Sequence, residues 1–158
     1  MIYIGIGSNL GNKTYNIEKA KHYLIMNNVN IIKSSSYYET LSWPDPKKPK
    51  FYNIILQSDT KFSPKKLLDI FKSIEKKLGR KIKPKNSPRE CDIDLIAYEN
   101  KVFKGDISIP HSRMHLRNFV LIPLYELNKN WFHPVLNISI KTLIFSLSIE
   151  DMRSIKKV

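Results

Sequence analysis

The order of strand-like and helix-like segments constrains the fold of this chain most strongly. Two segments, residues 13–26 and 64–78, carry apolar residues at helical spacing. Four segments rich in β-branched and aromatic residues are expected to form strands: residues 2–6, 29–38, 51–58 and 91–98. The order strand, helix, strand, strand, helix, strand predicts an α+β fold with a ferredoxin-like split βαβ sheet and helices packed on it.

The second helix has the clearest boundaries. Ser63 is placed to cap it, Pro64 suits its first position, and Gly79 is expected to end it. Its apolar residues form one stripe: Leu67, Leu68, Phe71, Ile74 and Leu78. Asn12 is a plausible cap for the first helix.

The C-terminal third is expected to add helices to the sheet. A helical stretch should follow Pro110 and run to about Leu127, kinked or divided at Pro123. A final short helix is expected to start at Ser139. No linker separates two cores, so residues 1–158 are interpreted as a single domain.

Two long surface loops separate the regular elements. Residues 43–49 contain three prolines, and residues 80–89 show no apolar periodicity. A turn at residues 99–100 is expected to return the chain as a hairpin through residues 102–103. Function is expected in the two long loops, since loops on a rigid scaffold often carry it.

Composition and charge limit the classes of partner. The 158 residues are 42% hydrophobic, which excludes a disordered chain. The formal net charge of +13 favours an anionic partner, either nucleic acid or a phosphorylated small molecule. Cys91 is the single cysteine, which suits a reducing cytoplasm. No apolar stretch approaches the roughly 18 residues that span a bilayer, so no membrane partner is expected.

Asp92 and Asp94 give the sharpest chemical signal. At positions i and i+2 of a strand, both carboxylates lie on one face, while Cys91, Ile93 and Leu95 lie on the other. Two acids on one face repel unless a cation lies between them, and the spacing suits Mg²⁺ together with substrate phosphates. The alternative is the solvated outer face of an edge strand.

A basic run precedes this acidic pair. Residues 61–89 contain eleven lysines and arginines and two acids, a net charge of +9. A polyanion bridged by metal to Asp92 and Asp94 and held by Arg80 and Arg89 would use both signs of charge. A nucleic-acid groove would use the lysines equally well but leaves the aspartates unexplained, and residues 72–89 lack interleaved aromatic residues.

Two further motifs are weaker. The Gly5, Gly7 and Gly11 spacing matches neither the dinucleotide fingerprint nor the P-loop, and it favours a tight strand-to-helix turn. His111 and His115 are four residues apart, but no glutamate lies between them and no third zinc ligand is evident. His111 is interpreted as a hydrogen-bonding group at the start of a helix.

From Gly5 to about Pro134, the chain resembles the 6-hydroxymethyl-7,8-dihydropterin pyrophosphokinase family. The resemblance rests on these segments: GSNLG at 7–11, SYYET at 36–40, FYN at 51–53, Glu75 with LGR at 78–80, PRECDID at 88–94, IPHSRM at 109–114 and RNFVLIPL at 117–124. It implies an ATP-dependent transferase of folate biosynthesis that moves diphosphate from ATP to a pterin alcohol and releases AMP. It also implies a monomer that binds no nucleic acid; a small basic nucleic-acid-binding module remains the alternative.

The resemblance assigns roles to individual residues. Asp92 and Asp94 match the family's ligands for two Mg²⁺ ions, Arg80 and Arg89 its mobile-loop arginines, and Glu75 a residue that orients a loop arginine. Residues implied in ATP binding are Lys83, Leu95, Ser108, His111 and Arg117. Residues implied in the pterin pocket are Gly7, Thr40, Ser42, Trp43, Phe51, Asn53 and Phe119, with Asn53 on the polar edge of the pterin and the two phenylalanines against its ring.

The chain departs from the family pattern in its loops. Asn86 occupies a position where many members have tryptophan. The loop of residues 80–89 is one residue shorter than the corresponding loop of some relatives. Residues 41–43 also replace a proline-rich segment. These departures predict a less snug closure of the loop, with Trp43 taking over part of the covering role.

Overall fold

The fold is described from a computed structural model that covers residues 1–158. The first two thirds contain β1 (Ile2–Ser8), α1 (Lys13–Met26), β2 (Asn30–Ser34), β3 (Tyr38–Thr40), β4 (Phe51–Asp59), α2 (Pro64–Lys77) and β5 (Asp92–Tyr98). After a short 3-10 turn at Met114–Leu116, the last third contains α3 (Asn118–Leu127), β6 (Phe132–His133), β7 (Ile138–Ser139), α4 (Ile140–Phe145), α5 (Ile149–Ser154) and β8 (Lys156–Lys157).

The main sheet confirms the predicted α+β architecture. Its strand order is β5-β1-β4-β3-β8, with β2 also paired to β4, and every pair is antiparallel. If β2 and β3 are taken as two halves of one strand, this is the split βαβ order, extended by β8 at one edge. β6 and β7 form a separate two-stranded ribbon.

Each face of the sheet is covered by its own helices. On one face, α1 and α2 bury a cluster that includes Ile4, Leu24, Leu56 and Phe71. On the other, α3 and α4 pack against a second cluster that contains Ile55, Ile96, Leu121 and Leu143. The predicted C-terminal helices therefore cover the face that α1 and α2 leave open. No helix of the structure is long and apolar enough to cross a membrane.

The predicted helix boundaries are confirmed by their caps. The Ser63 hydroxyl accepts from the Lys66 amide at the start of α2, and Gly79 follows the helix with φ +100°. Asn12 caps α1 through the Tyr15 amide at 3.0 Å. Ser139 caps α4 through the Thr142 amide at 3.2 Å.

The single strand predicted over residues 29–38 is wrong, because the chain forms β2 and β3 with a break between them. At the break, the backbone amide of Ser35 donates to the Ile55 carbonyl. The Ser35 hydroxyl, in place of a backbone carbonyl, accepts from the Ile55 amide at 2.9 Å. A side chain thus replaces one rung of the ladder, and the strand divides there.

Several expectations for the last third need correction. The helix expected after Pro110 begins only at Asn118, and the helix that Ser139 caps is not the last, because α5 follows it. Pro123 does not divide α3, which runs unbroken from Asn118 to Leu127 while burying Val120, Leu121 and Leu124. Phe103 does not return as a hairpin beside β5. It exchanges backbone hydrogen bonds with Ile109 instead, because the His111 amide already bonds to the Ile96 carbonyl on that edge of β5.

Candidate active site

Most of the predicted site residues line one cleft, and the exceptions are Arg80, Lys83, Leu95 and Ser108. The cleft lies on the face of the sheet that α3 covers and has a volume of about 820 Å³. Its floor comes from β1, β4 and β5, and its walls come from the loop after β3, the segment from His111 to Val120, and α5. A cleft of this size accommodates small-molecule substrates.

The acidic pair lies at the start of β5, an edge strand of the sheet. Both carboxylates face the cleft, and the intervening Ile93 is buried on the opposite face as predicted. Asp92 contacts two guanidinium groups: Oδ1 lies 2.8 Å from Arg80 Nη1 and Oδ2 lies 2.5 Å from Arg89 Nη2. Although burial acts to raise it, Arg89 and Arg80 hold the pKa of Asp92 below its ordinary value.

Asp94 is less fully neutralised than Asp92. Its nearest cation is Arg117, whose Nη1 lies 3.6 Å from Oδ2. Partial burial and the neighbouring Asp92 carboxylate raise the pKa of Asp94. Arg117 Nη1 also lies 3.5 Å from His111 Nε2, so one end of the cleft groups an acid, an arginine and a histidine. Burial lowers the pKa of His111, which favours its neutral form.

Arg80 lines a recess formed by residues 80–90 and not the cleft, and Glu75 holds it against Asp92. Its Nη1 lies 2.6 Å from Glu75 Oε1, and the same oxygen accepts the backbone N–H of Ile93 at 2.8 Å. Glu75 does not line the cleft. It therefore contacts a loop arginine from α2, as the sequence predicted.

The other end of the cleft contains buried polar groups. Asn53 Nδ2 donates to Thr40 Oγ1 at 2.9 Å, and Thr40, Ser42 and Asn53 are all buried. A Cβ at Gly7 would lie 2.9 Å from Asn53 Oδ1, so only glycine allows the Asn53 amide to lie against β1. This arrangement offers a planar amide to the polar edge of a flat heterocycle.

Each predicted aromatic ring lies beside a guanidinium group. The Cζ atom of arginine is 5.1 Å from the Phe51 ring for Arg89, 5.4 Å from the Phe119 ring for Arg117, and 5.7 Å from the Trp43 ring for Arg113. Such contacts combine cationic and stacking attraction. Arg113 also lines the cleft but was not predicted to do so, although it lies in the IPHSRM segment.

Asn9 was also missed, and it joins the two predicted loops. Its Nδ2 donates to Ser42 Oγ at 3.2 Å and to the Pro49 carbonyl at 3.0 Å. Its Oδ1 accepts the Arg89 amide at 2.9 Å. A second link runs from Lys48 Nζ to the Asn86 carbonyl at 2.9 Å. The sequence feature that could have identified Asn9 is its position in the GSNLG turn.

Some predicted residues lie outside the cleft. Lys83, like Arg80, lines the recess formed by residues 80–90. Leu95 has its side chain in the core with α1 and α2, and Ser108 does not line the cleft. Conversely, three cleft residues of α5 carried no sequence signal: Glu150, Asp151 and Ser154.

The donor set at β5 suits one kind of metal ion. No group of three or more His, Cys, Asp or Glu side chains is placed to hold a metal. Asp92 and Asp94 offer two carboxylates on one face, and Mg²⁺ in phosphoryl-transfer sites takes one or two carboxylates with substrate phosphates supplying other ligands. The pair therefore fits Mg²⁺ with a polyphosphate and does not fit a protein-caged ion.

Comparison with known proteins identifies relatives of the whole fold. The sequence model of the 7,8-dihydro-6-hydroxymethylpterin-pyrophosphokinase family matches residues 3–129. The 2-amino-4-hydroxy-6-hydroxymethyldihydropteridine pyrophosphokinase of Aquifex aeolicus is 36% identical over 135 residues, covering 85% of this chain and 84% of the relative. The enzyme of the same name from Haemophilus influenzae is 32% identical over 127 residues, covering 79% of each protein.

Longer proteins contain the same fold as one part. The folic acid synthesis protein of Pneumocystis carinii is 32% identical over 98% of this chain, which spans 21% of that protein. The crystal structure of Plasmodium falciparum HPPK-DHPS with pterin and p-hydroxybenzoate superposes with a TM-score of 0.75 at 16% identity. It covers 99% of this chain and 46% of its own, a likeness that shows the fold alone.

Proposed function

Because the chain belongs to the 7,8-dihydro-6-hydroxymethylpterin-pyrophosphokinase family, it is an ATP-dependent pyrophosphokinase of folate biosynthesis, and we propose how its residues carry the reaction. It transfers diphosphate from ATP to the hydroxymethyl group of 6-hydroxymethyl-7,8-dihydropterin, releasing AMP. The proposed roles rest on the arrangement of residues in the cleft. This arrangement places a carboxylate pair with loop arginines at one end and a buried amide with aromatic rings at the other.

Asp92 and Asp94 would hold two Mg²⁺ ions when ATP is bound. The bound metal would supply positive charge to the phosphate oxygens. The placement of both carboxylates on one face of β5 supports this role.

Arg80 and Arg89 would bind the phosphates as charge moves to the leaving group. Both lie on the mobile-loop segment, and both already contact the carboxylate next to which the phosphates would lie. Rotation of the two side chains away from Asp92 would let them contact phosphate oxygens. Closure of residues 80–89 over the cleft would also exclude water.

Arg117 and His111 would bind the triphosphate beyond Asp94, to which Arg117 is close. Lys83 would join them only on loop closure, because it faces the recess within residues 80–90. Neutral His111 donates or accepts one hydrogen bond without adding charge to the site.

The pterin would occupy the other end of the cleft. Asn53 and backbone groups near Thr40 and Ser42 would meet its polar edge, while Phe51 and Phe119 would lie against the ring. Trp43 has its side chain 69% exposed at the mouth of the cleft, in position to cover a bound ligand.

The hydroxymethyl oxygen of the pterin would attack the β-phosphorus of ATP directly and lose its proton to water. The bond from the β-phosphorus to the bridging oxygen would break, and AMP would leave with that oxygen. Cys91 is no candidate nucleophile, since it is buried in the core and burial raises the pKa of its thiol. Catalysis would come from positioning and charge neutralisation by the residues named above.

The oligomeric state and the cellular location are also part of the proposal. A monomer of one domain suits a cleft built from a single chain, and a buried free thiol suits the reducing cytoplasm. The nucleic-acid module gains no support, since the matched relatives are named as folate-pathway proteins.

AMP release from Mg·ATP, followed with and without 6-hydroxymethyl-7,8-dihydropterin, tests the proposed function. Pterin-dependent AMP and pterin diphosphate in equal amounts are expected. Pterin-independent release, or none, together with tight salt-sensitive binding of nucleic acid, would overturn it.

A further inference from the structure

We propose that the C-terminal segment, residues 149–158, forms part of the pterin pocket and contributes to pterin binding. Asn118 is the positioning residue that couples this segment to Phe119. This segment lies outside residues 3–129, the part that the family model matches. The inference rests on the proposed function of the cleft, and it extends the site to residues to which neither the family model nor the sequence motifs assign a role.

The segment connects two walls of the cleft. At one end, α5 lies beside the first turn of α3 and contributes Glu150, Asp151 and Ser154 to the cleft lining. At the other end, β8 pairs with β3, and the Val158 amide donates to the Tyr37 carbonyl at 3.0 Å. β3 ends at Thr40, the acceptor of the Asn53 amide. The segment therefore joins the Phe119 wall to the Thr40 wall.

Polar contacts from Asn118 hold α5 in place. None of the six residues of α5 is buried, so apolar packing does little to fix this helix. An isolated helix of this length is unstable in water. Asn118 Nδ2 donates to the Asp151 carbonyl at 2.7 Å and to Ser154 Oγ at 3.0 Å. Because Asn118 is itself buried, these bonds are shielded from water.

The same amide also fixes the backbone that carries Phe119. Asn118 Oδ1 accepts the Phe119 N–H at 2.6 Å, so all the hydrogen-bonding capacity of Nδ2 and one lone pair of Oδ1 are used. Arg117, on the other side, is held separately by Asp94 and His111. Loss of the Asn118 side chain should therefore move Phe119 more than Arg117, and affect the pterin more than ATP.

A second anchor keeps the rest of α3 in place. Glu126, near the end of α3, accepts from Ser36 Oγ at 2.7 Å and from the Tyr38 hydroxyl at 2.7 Å. Lys157 of the C-terminal segment also lies 3.7 Å from Glu126 Oε1, but the bonds from Ser36 and Tyr38 come from outside that segment. A change at Asn118 should therefore perturb the first turn of α3 without releasing the helix.

Steady-state kinetics of the full chain test the proposal, with Asn118→Ala and Ser154→Ala as variants and the exposed Asn130→Ala as the matched control. For Asn118→Ala we expect the KM for the pterin to rise about tenfold, as for the loss of one buried polar contact, while the KM for ATP changes less than about twofold. Ser154→Ala, which removes one of the two acceptors, should give a smaller change in the same direction.

The double variant separates coupling from general damage. If Asn118 acts through α5, the combined effect of Asn118→Ala and Ser154→Ala on the KM for the pterin will be smaller than the product of the single effects. Hydrogen exchange of residues 149–158 in the wild-type protein should also slow when the pterin and an unreactive ATP analogue bind.

An unchanged KM for the pterin in Asn118→Ala would overturn the proposal. Equal rises in both KM values with a lowered melting temperature would also overturn it, since they indicate a merely structural role. These outcomes are distinct from failure of the proposed function, in which the wild-type protein itself gives no pterin-dependent AMP.

Discussion

Glu75 Oε1 lies 2.6 Å from Arg80 Nη1, so a residue of α2 that lines no part of the cleft orients an arginine that contacts Asp92 in the cleft. The same oxygen accepts the Ile93 amide between the two aspartates. Glu75→Gln keeps an acceptor for this amide and removes the charge that holds Arg80. We expect kcat to fall about tenfold with little change in melting temperature, measured by AMP release and thermal unfolding.

Glu75→Ala is the companion variant. It leaves the buried Ile93 amide without an acceptor, which should cost about 1–3 kcal/mol of unfolding free energy in urea titrations. Wild-type kcat in both variants would show that Glu75 does not position Arg80 for the reaction.

The carboxylate pair should be indispensable for turnover. Asp92→Ala and Asp94→Ala are each expected to lower kcat by at least about 10³-fold while the far-ultraviolet circular dichroism spectrum keeps its native shape, because both side chains face the cleft. The exposed Asp106→Ala, outside the cleft, is the control and should keep wild-type activity. Substantial activity in both single variants would remove the pair from the site.

Gly7 should tolerate no side chain if Asn53 positions the pterin. In Gly7→Ala the new Cβ would lie 2.9 Å from Asn53 Oδ1, which forces the amide to move. A displacement of this kind should raise the KM for the pterin by about tenfold to 100-fold with a smaller change in the KM for ATP.

Gly5→Ala is the matched control on the same strand. Gly5 also lines the cleft, but its Cβ would meet only the flexible ends of Ile96 and Ile55, at 3.2 and 3.4 Å, and no polar atom is among its nearest neighbours. We expect the KM for the pterin to stay within about threefold of the wild-type value, since side-chain ends move at small cost. Equal effects of the two variants would contradict the proposed role of Asn53.

Protonation of His133 should lower the stability of the fold at acidic pH. Burial lowers the pKa of His133, and its Nδ1 accepts from the Val135 and Leu136 amides at 3.3 and 3.1 Å. The unfolded chain therefore binds a proton more readily than the native protein, so stability rises with pH through the window just below the ordinary histidine pKa of 6.5 and levels off above it.

Urea titrations between pH 5 and 8 measure this dependence. His133→Asn keeps a side-chain acceptor near the position of Nδ1 but does not titrate, and it should reduce the slope of stability against pH. Burial also lowers the pKa of His111, which accounts for part of the slope that remains. The exposed His22→Asn is the control for the substitution itself. If His133→Asn retains the full slope, the dependence has its origin elsewhere.

Local signals predicted the elements that carry the chemistry. Ser63, Pro64 and Gly79 define α2 because capping and positive φ are properties of a few neighbouring residues. The alternation around Asp92 and Asp94 correctly placed both carboxylates on one face, because side chains of a strand alternate whatever the strand pairs with.

Contacts between residues far apart along the chain could not be predicted from the sequence. The division of residues 29–38 depends on a hydrogen bond between Ser35 and Ile55, and β8 pairs with a strand more than a hundred residues away along the chain. Asn118 and Ser154 have no signal in their own segments, since their roles exist only once α5 lies beside α3. The family motifs placed cleft residues such as Asn53 but not the contacts that hold them.

The two arginines on Asp92 have a consequence for how ligands enter. When Arg80 and Arg89 turn toward the phosphates, they leave behind a carboxylate that has lost both of its partners. A partly buried anion in that state attracts a cation strongly, and a cation already present would release the arginines. Nucleotide and Mg²⁺ should therefore bind with positive cooperativity, each lowering the dissociation constant of the other by the same factor.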